Sequence, residues 1–188
     1  MKKMFLLIFL LPVTVMAQRF QVSEQAGVSL ANTINNRGYY DARTQTNGFS
    51  NQVTATYHPC RHFAIGAFYE LNSWNSKNNS YGGTADFVSK YLFAGIDVKR
   101  ASFDGFSGIY YATTFKPSLG YGVHAGSKQK IYRGLSVIEQ IGYGFINLKG
   151  TTIVYPDLVP YPAPPPVQVA FSQDLKYAYA RIGLAYKF

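Results

Sequence analysis

Apolar and non-apolar residues trade places one by one along residues 176–188. Ala178, Ala180, Ile182, Leu184 and Tyr186 alternate with Tyr177, Tyr179, Arg181, Gly183, Ala185 and Lys187, and the stretch closes on Phe188. A strand turns successive side chains to opposite faces, so one face here is apolar while the other holds charge, glycine and tyrosine. Seven more stretches show the same period, at residues 20–31, 49–57, 63–72, 85–98, 107–115, 118–125 and 135–148. In the second, Phe49, Val53, Ala55 and Tyr57 oppose Ser50, Gln52, Thr54 and Thr56, with Asn51 interrupting the apolar side. In the third, Phe63, Ile65, Ala67, Tyr69 and Leu71 oppose Ala64, Gly66, Phe68, Glu70 and Asn72. These two form the clearest hairpin, joined by His58-Pro59-Cys60-Arg61-His62.

In the fourth stretch Val88, Leu92, Ala94, Ile96 and Val98 share a face that Lys90 interrupts. The fifth and sixth meet at Lys116-Pro117, read as a tight turn. In the seventh, Ile141, Tyr143 and Phe145 oppose Gln140, Gly142 and Gly144, and Glu139 falls on the apolar side unless a bulge near Val137-Ile138 shifts the register. Connections alternate between short (58–62, about 99–106, about 126–134) and long and polar (about 32–48, 73–84, 149–174), as the two ends of a membrane barrel do. The expected fold is all-β: one eight-stranded antiparallel up-and-down barrel spanning residues 18–188. Small inward glycines beside outward aromatics suit the crowded interior of a narrow barrel. Tyr57, Phe63, Tyr186 and Phe188 would girdle the periplasmic rim, and Phe49, Trp74, Phe87 and Tyr177 would lie near the other.

The first 17 residues change the picture in one respect. Met1-Lys2-Lys3, an apolar run from Met4 to Leu11 and the small-residue site Val15-Met16-Ala17 read as a cleavable secretory signal, too short to span a bilayer as a helix. Beyond it no apolar stretch approaches the length of a spanning helix. The formal net charge of +9 would suit nucleic acid, but export argues against that partner, and anionic lipid headgroups or plain solubility charge with no specific partner fit better. Cys60 is the single cysteine, so no internal disulfide can form, and closure of the sheet must hold the fold instead.

Chemistry-bearing residues are few. His124, Ser127 and Glu139 could make a hydrolytic triad only if they met, and a three-residue offset along a strand puts His124 and Ser127 on opposite faces. His58, Cys60 and His62 match no established metal spacing, so no metal or cofactor is expected. Glu70 and Arg181 are expected to face the lumen and pair there, because an unpaired buried charge is costly. The proline-dense run between Tyr155 and Pro166 favours extended backbone, and Tyr155, Tyr161 and Trp74 are the candidate loop contacts.

The glycine-aromatic strands and the Tyr186-Lys187-Phe188 end resemble small bacterial outer-membrane β-barrels of the OmpX/OmpA-like class, as found in Gram-negative Bacteroidetes. The resemblance is one of alternation across the whole mature chain. It implies insertion by the barrel-assembly machinery, which would read Phe188, Tyr186, Leu184 and Ile182. It further implies contact with outer-membrane lipid and lipopolysaccharide, and with surface or envelope proteins through the loops. The expected role is structural or interactive and non-enzymatic; the alternatives are a lipid A-modifying enzyme and a minor channel.

Overall fold

The computed structural model describes residues 19–37, 44–74, 77–103, 113–154 and 167–188. Among these residues nine strands follow one another: β1 (Phe20–Arg37), β2 (Thr44–Cys60), β3 (Phe63–Ser73), β4 (Lys77–Val88), β5 (Leu92–Phe103), β6 (Thr113–Lys116), β7 (Ser118–Tyr132), β8 (Leu135–Val154) and β9 (Val167–Lys187). All pairings are antiparallel, and β9 pairs with both β8 and β1, so the sheet closes on itself. β6 and β7 run along the same neighbour, with Lys116 opposite Lys149 and Gly120 opposite Ile146. They are one barrel strand broken at Pro117, giving eight staves.

Register fixes the shape. A row of partners runs Lys128, Ile138, Gly183, Gln25, Gln52, Glu70, Ser80, Ala101, Ser118 and so returns to β7 displaced along the strand. That stagger tilts the strands, and with only eight of them the barrel stays narrow enough for inward side chains to meet across it.

The surface is inside out relative to a water-soluble protein. Val28, Phe49, Ile65, Leu71, Ile96, Leu119, Val123, Ile141 and Ile182 stand exposed, while Ser50, Gln52, Glu70, Lys99, His124 and Arg181 are buried. Apolar area on this scale is stable only against hydrocarbon. On β9, Ile182, Leu184, Tyr186 and Phe188 all face out, and Tyr186 meets Phe188 edge to face at 5.1 Å between ring centres.

Several expected boundaries move. Residues 85–98 are not one strand: β4 ends at Val88, Ser89 N donates to Leu92 O at 2.7 Å, and β5 begins at Leu92. Val88 is in phase with the inward Thr84 and Asp86 of β4, while Leu92 is exposed in phase with Ile96, so the shared face was an accident of spacing. The turn carries no glycine, proline or asparagine to mark it. β4 occupies most of the segment read as the loop 73–84, its apolar face diluted by Gly83 between Tyr81 and Ala85. Lys116-Pro117 is no turn, since proline removes one N–H from the ladder without reversing the chain. These two errors cancel in the count of eight. Phe87 pairs with Phe63 at the end where β1 begins and β9 finishes, not at the opposite rim. No register shift occurs at Val137-Ile138, so Glu139 faces out and accepts a hydrogen bond from Ser127 Oγ at 3.0 Å.

β8 and β9 remain paired out to Val154 and Val167, well into the segment read as the loop 149–174. Tyr155, Tyr161, the proline run and the signal segment lie outside the described residues.

Candidate functional site: the barrel lumen

The lumen is built in three layers, set by which inward positions each strand supplies. At the end away from the termini it is apolar. Trp74, Tyr177, Leu148, Leu175 and Ile146 pack with Ala31, Ala101 and Phe103 into a buried cluster, and Phe115 leans on it. Trp74 was read as an exposed loop contact. It is 1 % exposed, its Nε1 donates to Ser29 Oγ at 2.7 Å, and its ring lies 4.9 Å from that of Tyr177. The reason is parity: Trp74 continues the inward set Phe68, Glu70, Asn72 beyond the last residue of β3.

The glycines of β8 have a specific partner here. Gly142 and Gly144 lie directly opposite Tyr179 and Tyr177 on β9, and a Cβ on either glycine would collide with the facing tyrosine ring. Each glycine is therefore a seat for one aromatic ring, which lets two tyrosines lie inside a narrow barrel.

The middle layer centres on Glu70. Its Oε1 pairs with Arg181 Nη2, and its Oε2 accepts from Lys99 Nζ at 2.6 Å and from Ser80 Oγ at 2.9 Å. Arg181 also donates from Nε to Ser50 Oγ and from Nη1 to Gln52 Oε1, both at 2.8 Å, and stacks 3.9 Å from the centre of the Tyr179 ring. Lys99 Nζ sits 4.5 Å from the centre of the Tyr177 ring. The structure thus brings Glu70 and Arg181 together and adds Lys99 to them. Buried charges tolerate this position because donors and acceptors are matched and aromatic faces cover the cations.

The layer nearest the termini centres on His124. Its Nε2 lies 2.8 Å from Asp86 Oδ1 and its Nδ1 lies 3.1 Å from Asp97 Oδ2. Thr84 Oγ1 donates to the same Asp86 oxygen at 3.0 Å. A neutral imidazole has one N–H to give, so carboxylates at both ring nitrogens suit the doubly protonated form. Below this layer a cavity of about 60 Å³ is bordered by Gln25, Thr54, His58, Asp86, His124, Lys128 and Gln140. Gln25 Oε1, Gln140 Oε1 and His58 Nε2 are buried without a hydrogen-bond partner, and all three residues border this cavity. Unpartnered polar atoms on a cavity wall fit a water-filled space.

Two groupings weighed from the sequence do not assemble. His124 lies inside and the Ser127–Glu139 pair outside, separated by the barrel wall. His58 turns to the cavity, Cys60 is exposed, and His62 stacks at 6.1 Å on Phe87; no metal-ligating group of three occurs among the described residues. Lys99, Asp97 and Asp86 were missed. Asp97 and Lys99 were legible as the polar alternates of Ile96 and Val98, whereas Asp86 was hidden by the false join of β4 to β5.

No protein-family model matches the chain, and no curated protein does. Solved structures do. It is similar to neisserial surface protein A, at 20% identity over 89% of this chain and 97% of that one, with a TM-score of 0.52. It is similar to the outer membrane protein OprG from Pseudomonas aeruginosa, at 10% identity over 90% and 96% of the two chains, with a TM-score of 0.55. It is also similar to the outer membrane protein AlkL in lipid bilayers, at 12% identity over 91% and 92%, with a TM-score of 0.50. With its closed sheet and apolar exterior, the chain has the fold of these outer-membrane proteins, a transmembrane β-barrel. Among such barrels this one is closed by eight staves, and its described lumen is packed rather than open.

Proposed function

We propose that this protein is a non-conducting, non-enzymatic barrel of the Gram-negative outer membrane whose role is structural or interactive. Its long connections would lie outside the cell, its termini in the periplasm, and its contacts would be lipopolysaccharide and surface or envelope proteins. Assembly would use the outward residues Ile182, Leu184, Tyr186 and Phe188 as the signal for the barrel-assembly machinery. The finer kinship to the OmpX/OmpA-like class of Bacteroidetes belongs to the same proposal.

The observation that carries this reading is the filled lumen. Above the cavity, Glu70, Arg181 and Lys99 bridge the barrel, and the Trp74–Tyr177–Leu148–Leu175 cluster covers them. An ion would have to break the charge layer and then cross the apolar one, which supports a role on the surface rather than through the pore. A catalytic lumen is disfavoured as well, because both nitrogens of His124 are occupied by carboxylates. Two experiments test the proposal. Purified protein in planar bilayers should give no discrete conductance steps, and mass spectra of lipid A from cells with and without the protein should coincide. Regular single-channel openings, or a gained or lost acyl chain, would replace it with the channel or the enzyme.

A further inference from the structure

The end where β1 begins and β9 finishes is ringed by cations. Arg19 and Lys187 flank the start of β1 and the end of β9, Arg61 sits in the β2–β3 turn, Lys90 in the β4–β5 turn, and Lys130 and Arg133 at the β7–β8 turn. Every connection at this end therefore holds at least one, at four stations round an eight-stave barrel. All six are exposed. The ion pairs among the described residues lie in the lumen, so none neutralises this ring. Its local contacts leave the charge available: Arg19 Nη1 donates to Pro59 O at 3.1 Å, and Lys90 Nζ lies 4.8 Å from the centre of the Tyr91 ring. The outward side-chain carboxylates nearest to it, Glu24 and Glu139, stand farther along β1 and β8, among the apolar residues.

A second feature fixes the depth of this ring. Phe20, Phe63, Phe87, Tyr91, Tyr132, Tyr186 and Phe188 are all exposed beside it, an aromatic girdle of the kind that sits at the lipid–water boundary. Cations just beyond such a girdle stand at the level of the lipid phosphates. We propose that this basic collar selects anionic phospholipid headgroups from the leaflet around it. The periplasmic leaflet is named only through the orientation proposed above; the selection itself does not depend on it.

The test uses the whole mature protein reconstituted in an equal mixture of phosphatidylethanolamine and phosphatidylglycerol, with spin-labelled analogues of each lipid reporting contact with the barrel. Phosphatidylglycerol should be preferred roughly threefold to fivefold at low ionic strength, as expected when basic residues face an anionic surface. The preference should shrink as salt is raised, because exposed charges are screened. R61Q/K90Q/R133Q, which removes three of the six cations, should cut the preference at least by half, and K149Q, on the part of β8 away from this end, should leave it unchanged. A wild-type ratio near one, a preference insensitive to salt, or equal loss in K149Q would overturn the proposal. So would a collar-dependent retention on isolated peptidoglycan with no lipid preference. The wild-type salt series stands even if the triple variant fails to insert. None of these outcomes alters the conductance or lipid A results, so the two proposals fail separately.

Discussion

Two buried charge clusters share this lumen, and they are built in opposite ways. The middle cluster has an acid, Glu70, held between two cations, Lys99 and Arg181; the lower one has a base, His124, held between two acids, Asp86 and Asp97. The first lies under the apolar cluster and beside two tyrosine rings, whereas the second borders a cavity with unpartnered polar atoms. Burial of this kind makes a missing partner expensive where water cannot enter and tolerable where it can. The middle cluster should therefore carry the rigidity of the barrel, and the lower one should be the softer of the two.

The largest test of that contrast is Glu70→Leu. It leaves Arg181 and Lys99 facing each other, and urea unfolding from lipid vesicles should show a loss of roughly 3–5 kcal/mol. Adding Lys99→Met should return part of the loss; no recovery would mean that shape rather than charge holds the layer. Next comes Gly144→Val, which removes the seat of the Tyr177 ring and should cost roughly 1–3 kcal/mol by overpacking. If Tyr177→Ala in the same chain fails to relieve that cost, the seat is not what the glycine provides. His124→Gln should cost less, about 1–2 kcal/mol, since water in the cavity can solvate Asp86 and Asp97. A loss equal to that of Glu70→Leu would erase the distinction between the clusters. Smallest is Ser127→Ala, whose partner Glu139 is exposed, with an expected change within about 0.5 kcal/mol by the same measurement.

Much of this was readable in the chain, and the failures share a cause. Over residues 49–57, 63–71 and 178–186 the outward residues are apolar or aromatic apart from Asn51, and the alternates carry Gln52, Glu70 and Arg181 among small residues and the rings of Phe68 and Tyr179, so parity alone predicted Glu70, Gln52 and Arg181 in the lumen. The same parity rule applied one residue past β3 would have buried Trp74; the boundary was drawn at the end of a pattern rather than at the end of the pairing. Around β4 and β5 the rule broke because Val88 and Leu92 are an even number apart yet belong to different strands. Which inward residues meet depends on the stagger of the strands. That is why Glu70 and Arg181 could be placed inside, but the additions of Lys99 and of the Asp86–His124–Asp97 set could not be read without register.

Alternation around a closed cylinder can be measured directly by a nitroxide scan along β9, from Ala178 to Tyr186, in vesicles and in a Cys60→Ser background. Oxygen accessibility should peak at Ala178, Ala180, Ile182, Leu184 and Tyr186 and fall at Tyr179, Arg181, Gly183 and Ala185, every second residue without a break. A smooth profile, or one with a helical period, would contradict the barrel and with it the lumen on which the rest is built.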